Sequence, residues 1–70
     1  MPSFYEGICR EALARIGRVD VPWQLLEASM RLEYGTLDAR SRADFLREAV
    51  IAAGIWDADR ALALRLAEEI

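Results

Sequence analysis

This chain of 70 residues contains a single cysteine and no histidine, which limits the ways in which so short a chain can be stabilised. A domain of roughly 60 residues buries only about 60% of the surface that its unfolded chain exposes, and many such domains add disulfides or a metal. Cys9 is the only cysteine and histidine is absent, so an intrachain disulfide is excluded and zinc lacks a suitable ligand set. Close helix packing or a partner chain must therefore stabilise the fold.

The apolar content favours a partner. Apolar residue types make up 54% of the chain, which is more than a domain of this size can readily hide. The many alanines explain part of this surplus, because each alanine carries little surface. They do not explain the two tryptophans or the leucine-rich segments.

Two capping boxes predict helix starts. Ser3 is followed by Glu6, and Ser41 is followed by Asp44. In each pair the hydroxyl can accept a hydrogen bond from the backbone amide of the third helical residue. The first helix is therefore expected to begin near Ser3 and the third near Ser41.

Single glycines predict helix ends. Gly17, Gly35 and Gly54 each follow an apolar helical pattern, and glycine readily adopts the left-handed backbone conformation that ends a helix. Gly7 falls inside the first helix, where glycine costs up to about 1 kcal/mol relative to alanine. It marks either the close approach of another helix or neutral drift.

Aspartates predict the other two helix starts. Asp20 is the expected cap of the second helix, and Pro22 is tolerated in the first turn because its missing amide needs no partner there. Asp57 is the expected cap of the fourth helix. Trp56, directly before that cap, is expected to pack onto the first turns of the fourth helix, with Ile55 contacting the preceding helix end.

These signals predict an all-α protein. No segment alternates apolar and polar residues as a strand would, and no internal repeat or linker divides the chain. We expect a single helical domain over residues 1–70. Its architecture is a compact bundle of four short helices spanning about 3–16, 21–34, 42–53 and 58–70.

Three of these helices have one apolar face each, as helices that pack on a core usually do. The first helix is expected to contribute Phe4, Tyr5, Ile8, Cys9, Ala12, Leu13 and Ile16. The third is expected to contribute Phe45, Leu46, Ala49, Val50 and Ala53. The fourth is expected to contribute Leu62, Ala63, Leu66 and Ile70.

The second helix carries two apolar stripes on roughly opposite sides. The first stripe contains the larger side chains, Trp23, Leu26, Met30 and Tyr34. The second stripe contains Val21, Leu25, Ala28 and Leu32. A helix that is apolar on two sides is usually buried on two sides.

Two interpretations of the second helix follow. In one, it is the central helix, packed between the first helix and the hairpin of the third and fourth. In the other, one stripe contacts another protein, and the tryptophan, methionine and tyrosine of the first stripe are types enriched at interface centres. The candidate protein interface is therefore Trp23, Leu26, Met30 and Tyr34, in a homodimer or with one heterologous partner.

The residue types argue against an enzyme. Histidine, the usual general base near neutral pH, is absent, and no glycine-rich phosphate loop is present. Cys9 has apolar helical neighbours and no base beside it, which is typical of a buried structural thiol. We therefore expect no catalytic residue, no cofactor, no metal and no small-molecule substrate.

Charge argues against a nucleic acid partner. The net charge is −3 and the pI is about 4.8, whereas nucleic-acid-binding domains usually carry a basic face. The alternative is a DNA-binding regulator that uses the second and third helices as a helix-turn-helix-like unit. Its possible polar contacts are Arg40, Arg42 and Arg47, although neighbouring acidic residues neutralise that patch.

The sequence also predicts where the protein acts. No segment reaches the ~18 uninterrupted apolar residues of a membrane span, and the N-terminus lacks the pattern of a signal peptide. We expect a cytoplasmic protein of a bacterium or phage, in which Cys9 stays reduced. The expected function is that of a small non-enzymatic interaction module, an adaptor, inhibitor or regulator, that self-associates.

Overall fold

All four predicted helices are present. The computed structural model of the protein describes residues 4–35, 41–56 and 59–70. It contains α1 (Phe4–Ile16), α2 (Trp23–Tyr34), α3 (Arg42–Trp56) and α4 (Arg60–Glu68), with no strand among the described residues. The prediction of an all-α bundle is confirmed. The radius of gyration is 10.8 Å, close to the roughly 11 Å expected of a folded chain of this length.

The central pair of helices is α1 and α3. They pack against each other, while α2 lies against both of them and α4 lies mainly along α3. In the part of the chain that the structure describes, α2 and α4 do not pack together. The interpretation of α2 as the central helix is therefore wrong. It is a peripheral helix, and only one of its sides faces the bundle.

The core consists mainly of the apolar faces predicted for α1 and α3. Its buried members are Ile8, Cys9, Ala12, Leu13 and Ile16 from α1, Leu26 and Met30 from α2, and Phe45, Leu46, Ala49, Val50, Ala52 and Ala53 from α3. The fully buried residues of α4 are two alanines, Ala63 and Ala67, and the larger Leu66 and Ile70 are half-buried beside them. Small side chains let α4 lie close to α3.

Two of the predicted glycine stops are confirmed. Gly17 has a φ of +78°, its amide donates to the Ala14 carbonyl at 3.1 Å, and the Arg18 amide donates to the Leu13 carbonyl at 2.8 Å. This pair of bonds is the Schellman motif, which satisfies carbonyls at the end of a helix. Gly35 has a φ of +70° and closes α2.

The capping box at the start of α3 is confirmed. The Asp44 amide donates to the Ser41 hydroxyl oxygen at 3.2 Å, and that hydroxyl donates to the Asp44 carboxylate at 2.9 Å. The box therefore satisfies one of the free amides of the first helical turn. The other predicted box depends on Ser3, which lies outside the described residues.

The predicted helix end at Gly54 is wrong, because α3 continues through Gly54 to Trp56. Gly54 is buried, and a Cβ atom added there would lie 2.1 Å from the Cβ of Ala63. Glycine at this position permits α4 to approach α3. Gly7 is the opposite case: it is exposed and a Cβ there meets nothing within 4 Å in the described structure, which excludes a close approach.

The helix α4 also begins later than predicted. Its N-cap is Asp59, whose carboxylate accepts a hydrogen bond from the Leu62 amide at 3.0 Å, and the predicted cap, Asp57, lies outside the described residues. Trp56 is the last residue of α3, so it does not directly precede the cap of α4. The prediction that Trp56 packs as the residue before that cap is therefore corrected.

The N-cap of α2 is Pro22, which makes no side-chain cap bond, and the prediction of Asp20 as the cap is wrong. The Asp20 carboxylate instead accepts two hydrogen bonds from the Arg18 guanidinium, at 3.1 and 3.4 Å. These bonds also lower the pKa of Asp20. Asp20 therefore forms an ion pair with Arg18 within the connector and does not cap α2.

Candidate protein interface

The first stripe of α2 faces the core of the bundle. Leu26 and Met30 have only 0% and 1% of their surface exposed, and Trp23 and Tyr34 are half-buried against the same core. A side chain without exposed surface offers nothing to a partner while the fold is intact. The burial therefore favours the core interpretation of this stripe over its interpretation as an interface.

Tyr34 fixes the end of α2 to α3. Its hydroxyl donates a hydrogen bond to the Glu48 carboxylate, and burial together with this bond raises the pKa of Tyr34 above its usual value of 10.0. The proton therefore stays on the tyrosine at physiological pH. This bond holds the half-buried end of the first stripe against the bundle.

The opposite side of α2 faces solvent. Leu32 is 89% exposed and Leu25 is 56% exposed, with Ala28, also exposed, between them. These residues recur at i, i+3 and i+7, a spacing that aligns side chains in one row along a helix. Ser29 lies beside the row, and its hydroxyl donates to the Leu25 carbonyl at 3.0 Å. We refer to Leu25, Ala28, Ser29 and Leu32 as the outer face of α2.

The second stripe is therefore divided between solvent and bundle. Val21 precedes α2 and packs against the core, although the sequence pattern groups it with Leu25 and Leu32. Val21 lies in the connector before α2, which is not helical. Its side chain therefore does not follow the row formed by Leu25 and Leu32. The outer face begins at Leu25.

A charged cluster borders the outer face on the α1 side. The Arg31 Nε lies 3.3 Å from the Glu27 Oε1, and the Arg31 guanidinium lies 5.3 Å from the centre of the Tyr5 ring. Tyr5 in turn meets the Phe45 ring edge to face, with 5.5 Å between the ring centres. Arg31 is thus held along α1, beside the outer face and not over it.

Cys9 lies beneath this cluster and has 1% of its surface exposed. Burial, and next the negative charge of Glu27, raise the pKa of the Cys9 thiol to about 12. The nucleophilic form of cysteine is the thiolate, so this thiol is unreactive near neutral pH. The predicted burial of the Cys9 thiol is confirmed.

The arginines predicted as polar contacts are paired within the chain. Arg42 lies 2.9 Å from the Glu11 carboxylate on α1, and Arg47 lies 3.0 Å from the Asp44 carboxylate. Arg40 lies outside the described residues. The two described arginines therefore already have acidic partners, and those partners reduce the positive potential that a DNA phosphate would meet.

A cleft of about 300 Å³ lies between α1 and the start of α2. It is lined by the apolar residues Leu13, Val21 and Trp23 and by the charged residues Arg10 and Asp20. Both charged groups have partners, because Arg10 lies 3.4 Å from the Glu6 carboxylate and Asp20 is bound by Arg18. The cleft thus combines apolar walls with charges that the chain already neutralises.

Other exposed apolar side chains belong to α1, α3, α4 and the connector before α2. They are Phe4, Val19, Ile55, Trp56 and Leu64. Ile55 and Trp56 are neighbours in sequence, but consecutive residues of a helix point about 100° apart. Single exposed apolar residues are normal on a protein surface. The outer face of α2 differs because its two leucines share one row on one helix.

Both stripes of α2 are visible in the sequence, but the sequence analysis did not show which stripe faces the core and which faces solvent. Tryptophan, methionine and tyrosine are enriched at interface centres, and the same bulky side chains also fill protein cores. The size of the first stripe is the signal that favours the core, because a small domain gains most by burying its largest apolar side chains. Most of the smaller second stripe, Leu25, Ala28 and Leu32, is then left to solvent.

No group of three or more cysteine and acidic residues in the described part of the chain could hold a metal ion. None of the helices in the described ranges combines the length and apolar character that crossing a bilayer requires. No protein-family model, curated protein or solved structure matches the chain.

Proposed function

We propose that this protein is a small, non-enzymatic interaction module that binds a protein partner through the outer face of α2. The observation that carries the proposal is the exposure of Leu32 and Leu25, at 89% and 56%, on one row of a helix. Removing such a row from water is favourable, and a contiguous exposed apolar patch commonly marks a binding surface.

The packing of α2 supports this assignment. The helix is attached to the bundle by Leu26 and Met30, on its opposite side, so the outer face is not needed for the fold. A surface that the fold leaves free can be occupied by a partner without rearrangement, which is the usual case for pre-organised interfaces.

The alternative of a DNA-binding regulator has less support. Its described arginines, Arg42 and Arg47, are bound to Glu11 and Asp44, and the chain carries a net charge of −3. Electrostatic attraction to phosphates supplies most non-specific DNA affinity, and a salt-dependent shift of duplex DNA would reveal it. We propose instead an adaptor, inhibitor or regulator that acts on another protein in the cytoplasm.

Site-specific photo-crosslinking in the native host tests the proposal. A photo-crosslinking residue replaces Leu32 in one variant and Leu64, an exposed leucine of α4, in the control variant. We expect a covalent protein adduct from position 32 and none from position 64. An adduct yield at position 32 no higher than at position 64 would contradict the proposed function.

A further inference from the structure

The helices differ in the size of the side chains that they bury. The largest fully buried side chains all belong to α1, α2 or α3. They are Phe45, Ile8, Leu26, Met30, Val50 and Cys9. In α4 the fully buried residues are Ala63 and Ala67, and the larger Leu66 and Ile70 are only partly buried. Because the hydrophobic gain grows with the apolar area removed from water, α4 contributes the smallest share of the core.

The polar contacts between helices differ in the same way. The Tyr34 hydroxyl donates to the Glu48 carboxylate and joins α2 to α3, and the Arg42 guanidinium lies 2.9 Å from the Glu11 carboxylate and joins α3 to α1. Among the described residues, no hydrogen bond or ion pair joins α4 to another helix. Within that part of the chain, apolar packing alone holds α4 in place.

The other three helices form a bundle without α4. Each of α1, α2 and α3 packs against the other two, whereas α4 packs mainly against α3. Removal of α4 therefore leaves all three of these helix pairs in contact. Domains of about 55–65 residues can fold alone. An isolated helix of nine residues, in contrast, is too short to be stable in water, so α4 should unfold when it leaves α3.

We infer that α4 is a reversible cover of α3, which leaves the bundle and unfolds as one unit while α1, α2 and α3 stay folded. Native proteins open in cooperative parts, and the parts with the fewest buried apolar contacts open most often. Opening of α4 uncovers the side of α3 that carries the buried Gly54. It leaves the outer face of α2 unchanged and is independent of the proposed function.

Gly54 is the residue at which the closed and open forms can be separated by mutation. The three atoms that lie nearest to a Cβ added at Gly54 belong to Ala63 and Asp59. A larger side chain at position 54 is therefore directed against α4. Gly7 provides the matched control, because it also lies inside a helix and a Cβ added there meets nothing within 4 Å in the described structure.

Native-state hydrogen exchange of the wild type, followed by NMR, tests the opening directly. The amides from Ala63 to Ala67 should share one protection factor, at least about tenfold lower than those of Ala49 and Val50 in α3. In low concentrations of urea, their exchange should also accelerate less than that of Ala49 and Val50. The reason is that opening α4 exposes less surface than unfolding the whole bundle.

Gly54→Leu and the control Gly7→Leu test whether the bundle persists without α4. In Gly54→Leu, the amides from Ala63 to Ala67 should lose their protection, while those of Ala49 and Val50 remain protected. The methyl resonances of Leu26 and Met30 should stay at their wild-type positions, since α2 keeps its contacts with α1 and α3. Gly7→Leu should retain the wild-type protection in α4.

Several results would overturn the inference. Equal protection in α4 and at Ala49 and Val50 of the wild type would show that α4 opens only when the whole bundle unfolds. A steady change in protection from Ala63 to Ala67 would show fraying from one end of α4 and not opening as a unit. Loss of protection in all helices of Gly54→Leu would show that the bundle requires α4.

Discussion

Two glycines inside helices have opposite surroundings. Gly7 lies on the exposed side of α1, where an added Cβ meets nothing within 4 Å in the described structure, and Gly54 lies against Ala63, whose Cβ would be only 2.1 Å away. Both glycines lower the intrinsic helix propensity by the same amount. Replacing each with alanine therefore separates the effect of propensity from the effect of packing.

We predict that the two substitutions change stability in opposite directions. Gly7→Ala should raise the free energy of unfolding by up to about 1 kcal/mol, because alanine is the better helix former and has room there. Gly54→Ala should lower it by about 1–3 kcal/mol, since the extra methyl group forces α4 away from α3. Urea denaturation measures both, and a stabilising Gly54→Ala would show that α4 does not pack closely at this point.

At the scale of a helix, some local signals were predicted correctly from the sequence, and contacts between helices were not. The local prediction of Asp20 as a cap failed, because its carboxylate binds Arg18. The start of α3 was predicted correctly because Ser41 and Asp44 act on each other within one turn. The role of Gly54 was missed because it depends on Ala63, in another helix. The orientation of α2 was missed for the same reason: its two stripes differ only in what lies opposite them.

The capping box of α3 has a testable pH dependence. Hydrogen bonds from Ser41, and next from Arg47, lower the pKa of Asp44 below its usual 3.8. A lowered folded-state pKa stabilises the fold above the unfolded pKa, and this stabilisation is lost as the pH falls through the folded value. The melting temperature of Asp44→Asn should therefore be below that of the wild type at neutral pH, and this difference should shrink below about pH 3.8.

Ser41→Ala is the companion variant. It removes the hydroxyl that accepts from the Asp44 amide, and it should lower the free energy of unfolding by about 1 kcal/mol at neutral pH. Melting curves of both variants from pH 2 to pH 7 provide the comparison. A constant difference between wild type and Asp44→Asn over that range would mean that the Asp44 charge contributes nothing to the helix start.

At the scale of the whole molecule, the fold has the accessible surface of a compact monomer. Its accessible surface is 4308 Å², close to the roughly 4,400 Å² of a compact monomer of 7.9 kDa. The sequence suggested a partner from the surplus of apolar residues, but most of that surplus is alanine and aliphatic side chains inside the bundle.

One side of α2 lies in the core, and the opposite side is exposed to solvent. Leu26→Ala and Leu32→Ala remove the same atoms from the same helix, and only Leu26 is buried. Urea denaturation at low micromolar concentration should show a loss of about 2–5 kcal/mol for Leu26→Ala. Leu32→Ala should change the free energy of unfolding by no more than about 0.5 kcal/mol. Equal losses from the two variants, or a larger loss from Leu32→Ala, would contradict this claim.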